Sequence, residues 1–403
     1  MTTARSRMRP HRRHERDGVR RFLLAAVNPD RSDREVAHLL DAADLRAVVR
    51  LARRHRVAAL LHDRLRDLDG TVASTLAAQL RYDHLEARAR QLQAHATIAA
   101  LRSALTVPFL IIKGAALAQR WYDDPSLRTY VDIDVLVRHT DFRGASEALV
   151  NAGFTHLLPS WNGLLARGMA EVPLKHRSST VDLHWHLIAR QDPRREIELD
   201  EAAIFDRADA LTLGGVDVAT LDCEDTLLHL CIHSGLDGGR RLHQLVDVDR
   251  VIRSGRINWD RFTARAKEAK AHPLCGAIVQ RCHELIGTPV PEELLAHLQP
   301  FYGWTSANAI VNQYRRPDHR TFTGIASGIL VAAGRATRAA TIVNIARAVH
   351  EATHDRVVQM RMAREPCDVA GSTSRGHEDP RSRERYLAWV DEQAAVSASP
   401  PVG

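Results

Sequence analysis

Apolar and polar residues alternate along Tyr130-Val131-Asp132-Ile133-Asp134-Val135-Leu136-Val137, a period of two that predicts a β-strand. In such a strand Val131, Ile133, Val135 and Val137 bury one face, and Asp132 and Asp134 project together from the other. The same period returns at Ser179–His186, with Val181, Leu183 and Trp185 on one face and Asp182, His184 and His186 on the other. Upstream, the apolar run Val107–Ile112 ends at Lys113 and Gly114, and helical spacing begins at Ala115. Between these segments, Asp141 is placed to cap a helix that Gly153 stops after Asn151. Phe154–Leu158 and Glu171–Arg177 are further strand candidates.

Elsewhere the spacing is helical, as in Val36–Leu40, Leu45–Leu51 and a long run from Arg81 to Leu105. From Asp222 it is helical again, with Asp222 as cap and Glu224 and Asp225 in the first turn. The expected organisation is a disordered basic arm (1–18), an N-terminal helical region (19–105), an α/β core (106–220), a C-terminal helical domain (221–364) and a mostly mobile tail (365–403) with a short helix near 385–390. The fold class is therefore α/β of the α+β kind, a small mixed sheet flanked by two helical regions.

The alternating acids change the picture from fold to chemistry. Two carboxylates side by side suit a divalent cation carrying substrate phosphates, and a third on a later strand completes a two-metal site for phosphoryl or nucleotidyl transfer. Asp132 and Asp134 are the pair, and Asp182 is the third acid, placed to serve the nucleophile side and take a proton. The plain alternative is a half-buried edge strand with two solvated acids. Lys113 and Gly114, where a strand meets a helix, offer a cation and free backbone N–H groups to a phosphate. Lysine is scarce, at positions 113, 175, 267 and 270 against 56 basic residues in all, so Lys113 stands out from an arginine-rich background. Its alternative is a strand-end cation reaching into water. His184 and His186 are either metal ligands or supporting polar-face residues.

These residues carry a resemblance. Lys113-Gly114-x-x-Leu117, Arg128 four residues before Asp132-Ile133-Asp134, and Val181-Asp182-Leu183-His184-Trp185 resemble the signature of an uncharacterised bacterial nucleotidyltransferase family within the polymerase-β-like superfamily. The resemblance extends over roughly 95–255, through Leu227–His233 and Arg241–Asp247. It implies a nucleotidyltransferase core in which Asp132, Asp134 and Asp182 hold Mg²⁺ or Mn²⁺. Lys113, Gly114, Arg128 and His184 then attend an NTP, with ATP the first choice, and pyrophosphate is released. The superfamily's usual Gly-Ser after the first strand is Lys-Gly here.

Composition narrows the setting. At 45% hydrophobic and 26% charged, the chain has the make-up of a globular protein. Its cysteines form no Cys-x-x-Cys pair and read as reduced thiols, and no apolar run approaches the roughly 18–20 residues that span a bilayer, so a cytoplasmic location is expected. The net charge of +7 is concentrated in an arginine-rich start, Arg5 to Arg21, which can meet nucleic-acid phosphates or remain a solvated terminus. The acceptor is left open between RNA, protein and a small molecule. Two rival functions remain: a catalytically degenerate nucleotide-binding scaffold, and a glycosyltransferase that uses Asp-x-Asp to hold a nucleotide sugar's metal.

Overall fold

The computed structural model describes residues 10–157, 160–298 and 380–397. Helices α1 (Pro10–Val27), α2 (Asp33–Asp41), α3 (Leu45–Arg54), α4 (Ala58–Arg66) and the long α5 (Thr71–Ala104) come first. Ser32 and Glu35 form a reciprocal capping box at the start of α2. The sheet region follows as β1 (Phe109–Ile111), α6 (Ala115–Trp121), β2 (Asp132–Val137), α7 (Phe142–Asn151), β3 (Thr155–His156), α8 (Trp161–Ala166), β4 (Glu171–His176) and β5 (Ser179–His184). It is completed by α9 (Gln191–Glu196), α10 (Glu201–Asp206), β6 (Asp209–Leu213) and β7 (Val216–Thr220). Helices α11 (Cys223–Leu236), α12 (Leu242–Arg253), α13 (Trp259–Glu268), α14 (His272–Ile286) and α15 (Glu292–His297) come next, and a C-terminal helix spans Pro380–Ser397. The α+β expectation holds.

The strands form one seven-stranded mixed sheet in the order β3-β4-β5-β2-β1-β7-β6. Its centre decides the chemistry. β2 runs antiparallel to β1 and parallel to β5, and that parallel register sets Asp134 beside Asp182 and Asp132 beside Thr180. The inner residues Ile133, Val135, Val137, Val181 and Leu183 join α5, α7 and the C-terminal helix in one core, while Leu110, Ile112 and Leu136 face the opposite side with the carboxylates. The largest core joins α1–α5 to α11–α15, so the two helical regions of the sequence pack as one body against the sheet. Burial of this apolar surface, at roughly 25 cal/mol per Å², is what holds the sheet's functional face in place.

Several boundaries differ from expectation. Helix α1 begins at Pro10, so residues 10–18 of the expected disordered arm are helical, and 1–9 lie outside the described residues. Val131 precedes β2 and is 42% exposed instead of continuing its buried face. Of the strand expected at Phe154–Leu158, Thr155 and His156 form β3 and Leu157 N–H also donates to the Pro173 carbonyl at 2.8 Å, whereas Leu158 lies outside the described residues. Asp141 begins α7 without a side-chain cap, whereas Asp222 caps α11 as expected by accepting from the Asp225 N–H. The C-terminal helix is longer than the short one expected near 385–390, because Tyr386, Leu387 and Val390 enter the sheet core. Residues 299–364 of the expected C-terminal helical domain, and 365–379 and 398–403 of the expected tail, lie outside the described residues.

Candidate functional site

The site grows from three neighbouring strands. β1 ends at Ile111, and Ile112 N–H still donates to the Asp134 carbonyl at 3.1 Å before the chain turns at Lys113. Gly114 makes that turn with φ +47°, and a Cβ there would meet the Asp132 carbonyl oxygen at 2.9 Å. Only glycine combines this backbone with so close an approach. The turn brings Lys113 Nζ to 2.7 Å from Asp134 Oδ1.

Asp134 is 5% exposed, so it is buried, unlike the solvated acids of the plain alternative. His184 Nε2 lies 3.2 Å from the same Asp134 oxygen. Because the ionised carboxylate can only accept, Nε2 carries the proton and donates it. On its other side His184 Nδ1 lies 3.6 Å from Glu171 Oε2, since Glu171 is paired with His184 in the β4–β5 register. Ligand atoms of Asp134, Asp182 and His184 all fall within 4.8 Å of one another, a donor set that could hold a metal ion. Asp132 lies outside that trio, one strand-step along the same face and half-buried. It borders a cavity of about 290 Å³ whose walls include Arg90, Gln93, Tyr130 and Thr180.

The electrostatics separate the acids. Burial pushes the Asp134 carboxyl up, but Lys113 and His184 outweigh it and hold it well below the usual range. Burial pushes Asp182 up to about 7, with Asp134 and Asp132 adding to the rise against the opposing pull of His184. Asp132 is raised by burial and then by Asp134. His184 is lowered by burial yet raised on balance by its bond to Asp134 and by Glu171. Acids crowded in this way are stabilised by an added cation, and the oxygen-rich donors fit a hard divalent ion.

Lys113, Gly114, Asp134, Asp182 and His184 therefore gather at one place, with Asp132 one strand-step along the same face. Arg128 does not join them. Its guanidinium is buried and committed elsewhere, donating from Nε and Nη2 to Asp247 at 2.8 Å each and from Nη1 to the Gly114 carbonyl at 3.1 Å. It holds the Lys-Gly turn from behind, so the expected phosphate contact is corrected to a strut. His186 follows β5, and its Nδ1 accepts from the Ile188 N–H.

The pattern of acids did not point to Glu171, His229 or His233. Glu171 needed the register. His229 on α11 is 2% exposed, and neither ring nitrogen has a hydrogen-bond partner. Burial and then the charge of Lys113 hold it well below the normal imidazole range, and the same two causes push His233 down to about 4. Their spacing of four along an apolar helix was the available signal.

A family model described as uncharacterised nucleotidyltransferase matches residues 41–287. The chain belongs to this nucleotidyltransferase family. The match begins in the N-terminal helices and ends at the close of α14, so it takes in the helical body together with the sheet. Membership makes the protein a transferase and gives an NTP as substrate class. No curated protein matches the chain. Among the described residues, no helix is long and apolar enough to cross a membrane.

Proposed function

We propose that this nucleotidyltransferase moves a nucleoside monophosphate from an NTP, ATP in the first instance, to an acceptor hydroxyl or phosphate, and that it uses the polymerase-β-like arrangement of acids. The observation that carries the reading is the β2–β5 register, which sets Asp134 beside Asp182 and turns both, with Asp132, to one face of the sheet. Asp132, Asp134 and Asp182 are the residues that would hold Mg²⁺ or Mn²⁺. When bound, the metal supplies charge neutralisation at the phosphates and at the attacking and leaving oxygens.

The chain's own groups do the rest. Lys113 neutralises Asp134 before substrate arrives and offers its ammonium to a phosphate oxygen afterwards. His184 fixes the Asp134 carboxylate through Nε2, and Glu171 in turn orients His184, so the acid holds its position while the ligand changes. A carboxylate oxygen of Asp182 takes the proton of the acceptor. The new acceptor O–P bond forms at the α-phosphorus, and the bond to the β-phosphate breaks with its electron pair leaving on pyrophosphate. The acceptor is RNA, a protein side chain or a small molecule, and the basic residues before Pro10 are suited to contacting RNA phosphates.

Incubation with each α-labelled NTP, Mg²⁺ and fractionated acceptor pools, with the label then located, tests this reading. Labelled acceptor and equimolar pyrophosphate from wild type, with neither from Asp182→Asn, is the expected outcome. Pyrophosphate release of equal rate in the variant would overturn the role of the third acid.

A further inference from the structure

A strained turn brings two arginines from distant parts of the chain together beside this site. After α3 the backbone reverses at His55 and Arg56, and Arg56 adopts φ +55°, the left-handed region that residues with a Cβ seldom enter. The turn is held by hydrogen bonds to the start of α12. The His55 carbonyl accepts from His243 N–H at 3.3 Å and from His243 Nδ1 at 3.2 Å, and His55 Nδ1 accepts from Leu242 N–H at 3.2 Å. Residue 55 is thus stitched to residues 242 and 243, which leaves Arg56 and Arg241 as neighbours.

Among the described residues, neither guanidinium has an acid within hydrogen-bond distance. Arg56 makes no ion pair among the described residues, and Arg241 comes only within 3.9 Å of Asp237. Burial and then the charge of Arg241 lower the Arg56 pKa, opposed by Asp132, while Arg128 and Arg90 add to the positive field. Arg90 shares a cavity wall with Asp132. Arg90 is paired with Glu86 at 2.6 Å and Arg128 with Asp247 at 2.8 Å, so Arg56 and Arg241 are the unmatched charges. Like charges brought together in this way are unfavourable until a polyanion joins them, and arginine's fork of donors matches phosphate oxygens in pairs.

We propose that Arg56 and Arg241 clamp the β- and γ-phosphates of the NTP and then the pyrophosphate that leaves. The inference rests on the nucleotidyltransferase reading of the adjacent carboxylates and adds to it that the two flanking helical regions build the polyphosphate subsite. It also explains the strained turn, since a glycine at position 56 would relieve the backbone but supply no charge.

The test uses the full chain and calorimetric titration with inorganic tripolyphosphate in EDTA, and with α,β-methylene-ATP in Mg²⁺. The variants are Arg56→Gly, Arg241→Gln and, as a control, exposed Arg102→Gln on α5. Arg56→Gly should melt no lower than wild type, because it suits the left-handed backbone, yet bind tripolyphosphate at least about tenfold more weakly. Arg241→Gln should lose a similar factor, and the control should lose nothing. Tripolyphosphate should also compete with the ATP analogue, and binding without competition would assign the clamp to the acceptor and overturn the proposal. Wild-type affinity in both arginine variants overturns the clamp and leaves the nucleotide reading standing. If wild type takes no ATP analogue while Arg56 still holds tripolyphosphate, the nucleotide reading fails, and the assignment to a triphosphate falls with it.

Discussion

Two buried ion pairs lie on either side of the Lys113-Gly114 turn, and they are built to opposite ends. In the Arg128–Asp247 pair the charges match one for one. Arg128 meets both oxygens of Asp247 at 2.8 Å, and Tyr122 Oη donates to Oδ1 of the same carboxylate at 2.7 Å. In the Lys113–Asp134 pair the bond is as short, 2.7 Å, but the surroundings are unbalanced, because Asp132, Asp182 and Glu171 crowd around a single lysine and His184. A closed pair secures the fold. An open, acid-rich one could hold a cation.

Removing the carboxylate at each of the two sites should break them differently. Asp134→Asn should lower nucleotidyl transfer by at least about 100-fold, the scale of one preorganised electrostatic group, with little change in melting temperature. Lys113 then still feels Glu171 and Asp132, so its charge is not stranded. Steady-state rates beside thermal melts would check both halves. Asp247→Ala should do the reverse, costing about 3–5 kcal/mol of stability by leaving the Arg128 guanidinium buried and unpaired, as denaturant titration would show.

Glu171→Gln is a smaller perturbation. It keeps the shape of β4 but weakens the hold on His184, and a rate loss of about tenfold with unchanged stability is expected, the lower end for groups that orient a ligand through another residue.

The sequence carried the alternation of acids, the Lys-Gly turn and the helical spacing, because each depends on residues close together along the chain. Arg128 was misread for the complementary reason. Its place four residues before Asp132 suggested a substrate contact, but its partner Asp247 is 119 residues away. Glu171 was hidden because its meeting with His184 depends on antiparallel register, which alternation alone does not fix. Arg56 gives no local signal either, since its significance lies in the stitching of His55 to α12. The helix from Pro10 was missed because arginine-rich composition was read as disorder, although Val19, Phe22 and Leu23 bury its inner face.

The mildest test of the comparison is pH. Burial and then Arg54 push His55 down to about 4, and burial pushes His243 to about 3, with Asp247 opposing. Both are depressed below the unfolded value of 6.5, so the unfolded chain binds more protons below that pH. Their stability contribution is complete above about 6.5 and is lost as pH falls through the interval down to 3–4, by at most about 1.4 kcal/mol per pH unit for each histidine. Protonating His55 Nδ1 also removes the acceptor for Leu242 N–H. Melting curves of wild type should fall through this window, and those of His55→Gln should fall less steeply.

The difference between the open and the closed pair is tested most directly by Mn²⁺ binding, followed through loss of the free-ion electron paramagnetic resonance signal. Wild type and Asp247→Asn, held below its melting temperature, should bind Mn²⁺ alike, whereas Asp134→Asn and Asp182→Asn should lose at least about tenfold in affinity. Equal Mn²⁺ binding by Asp134→Asn and wild type would contradict the account.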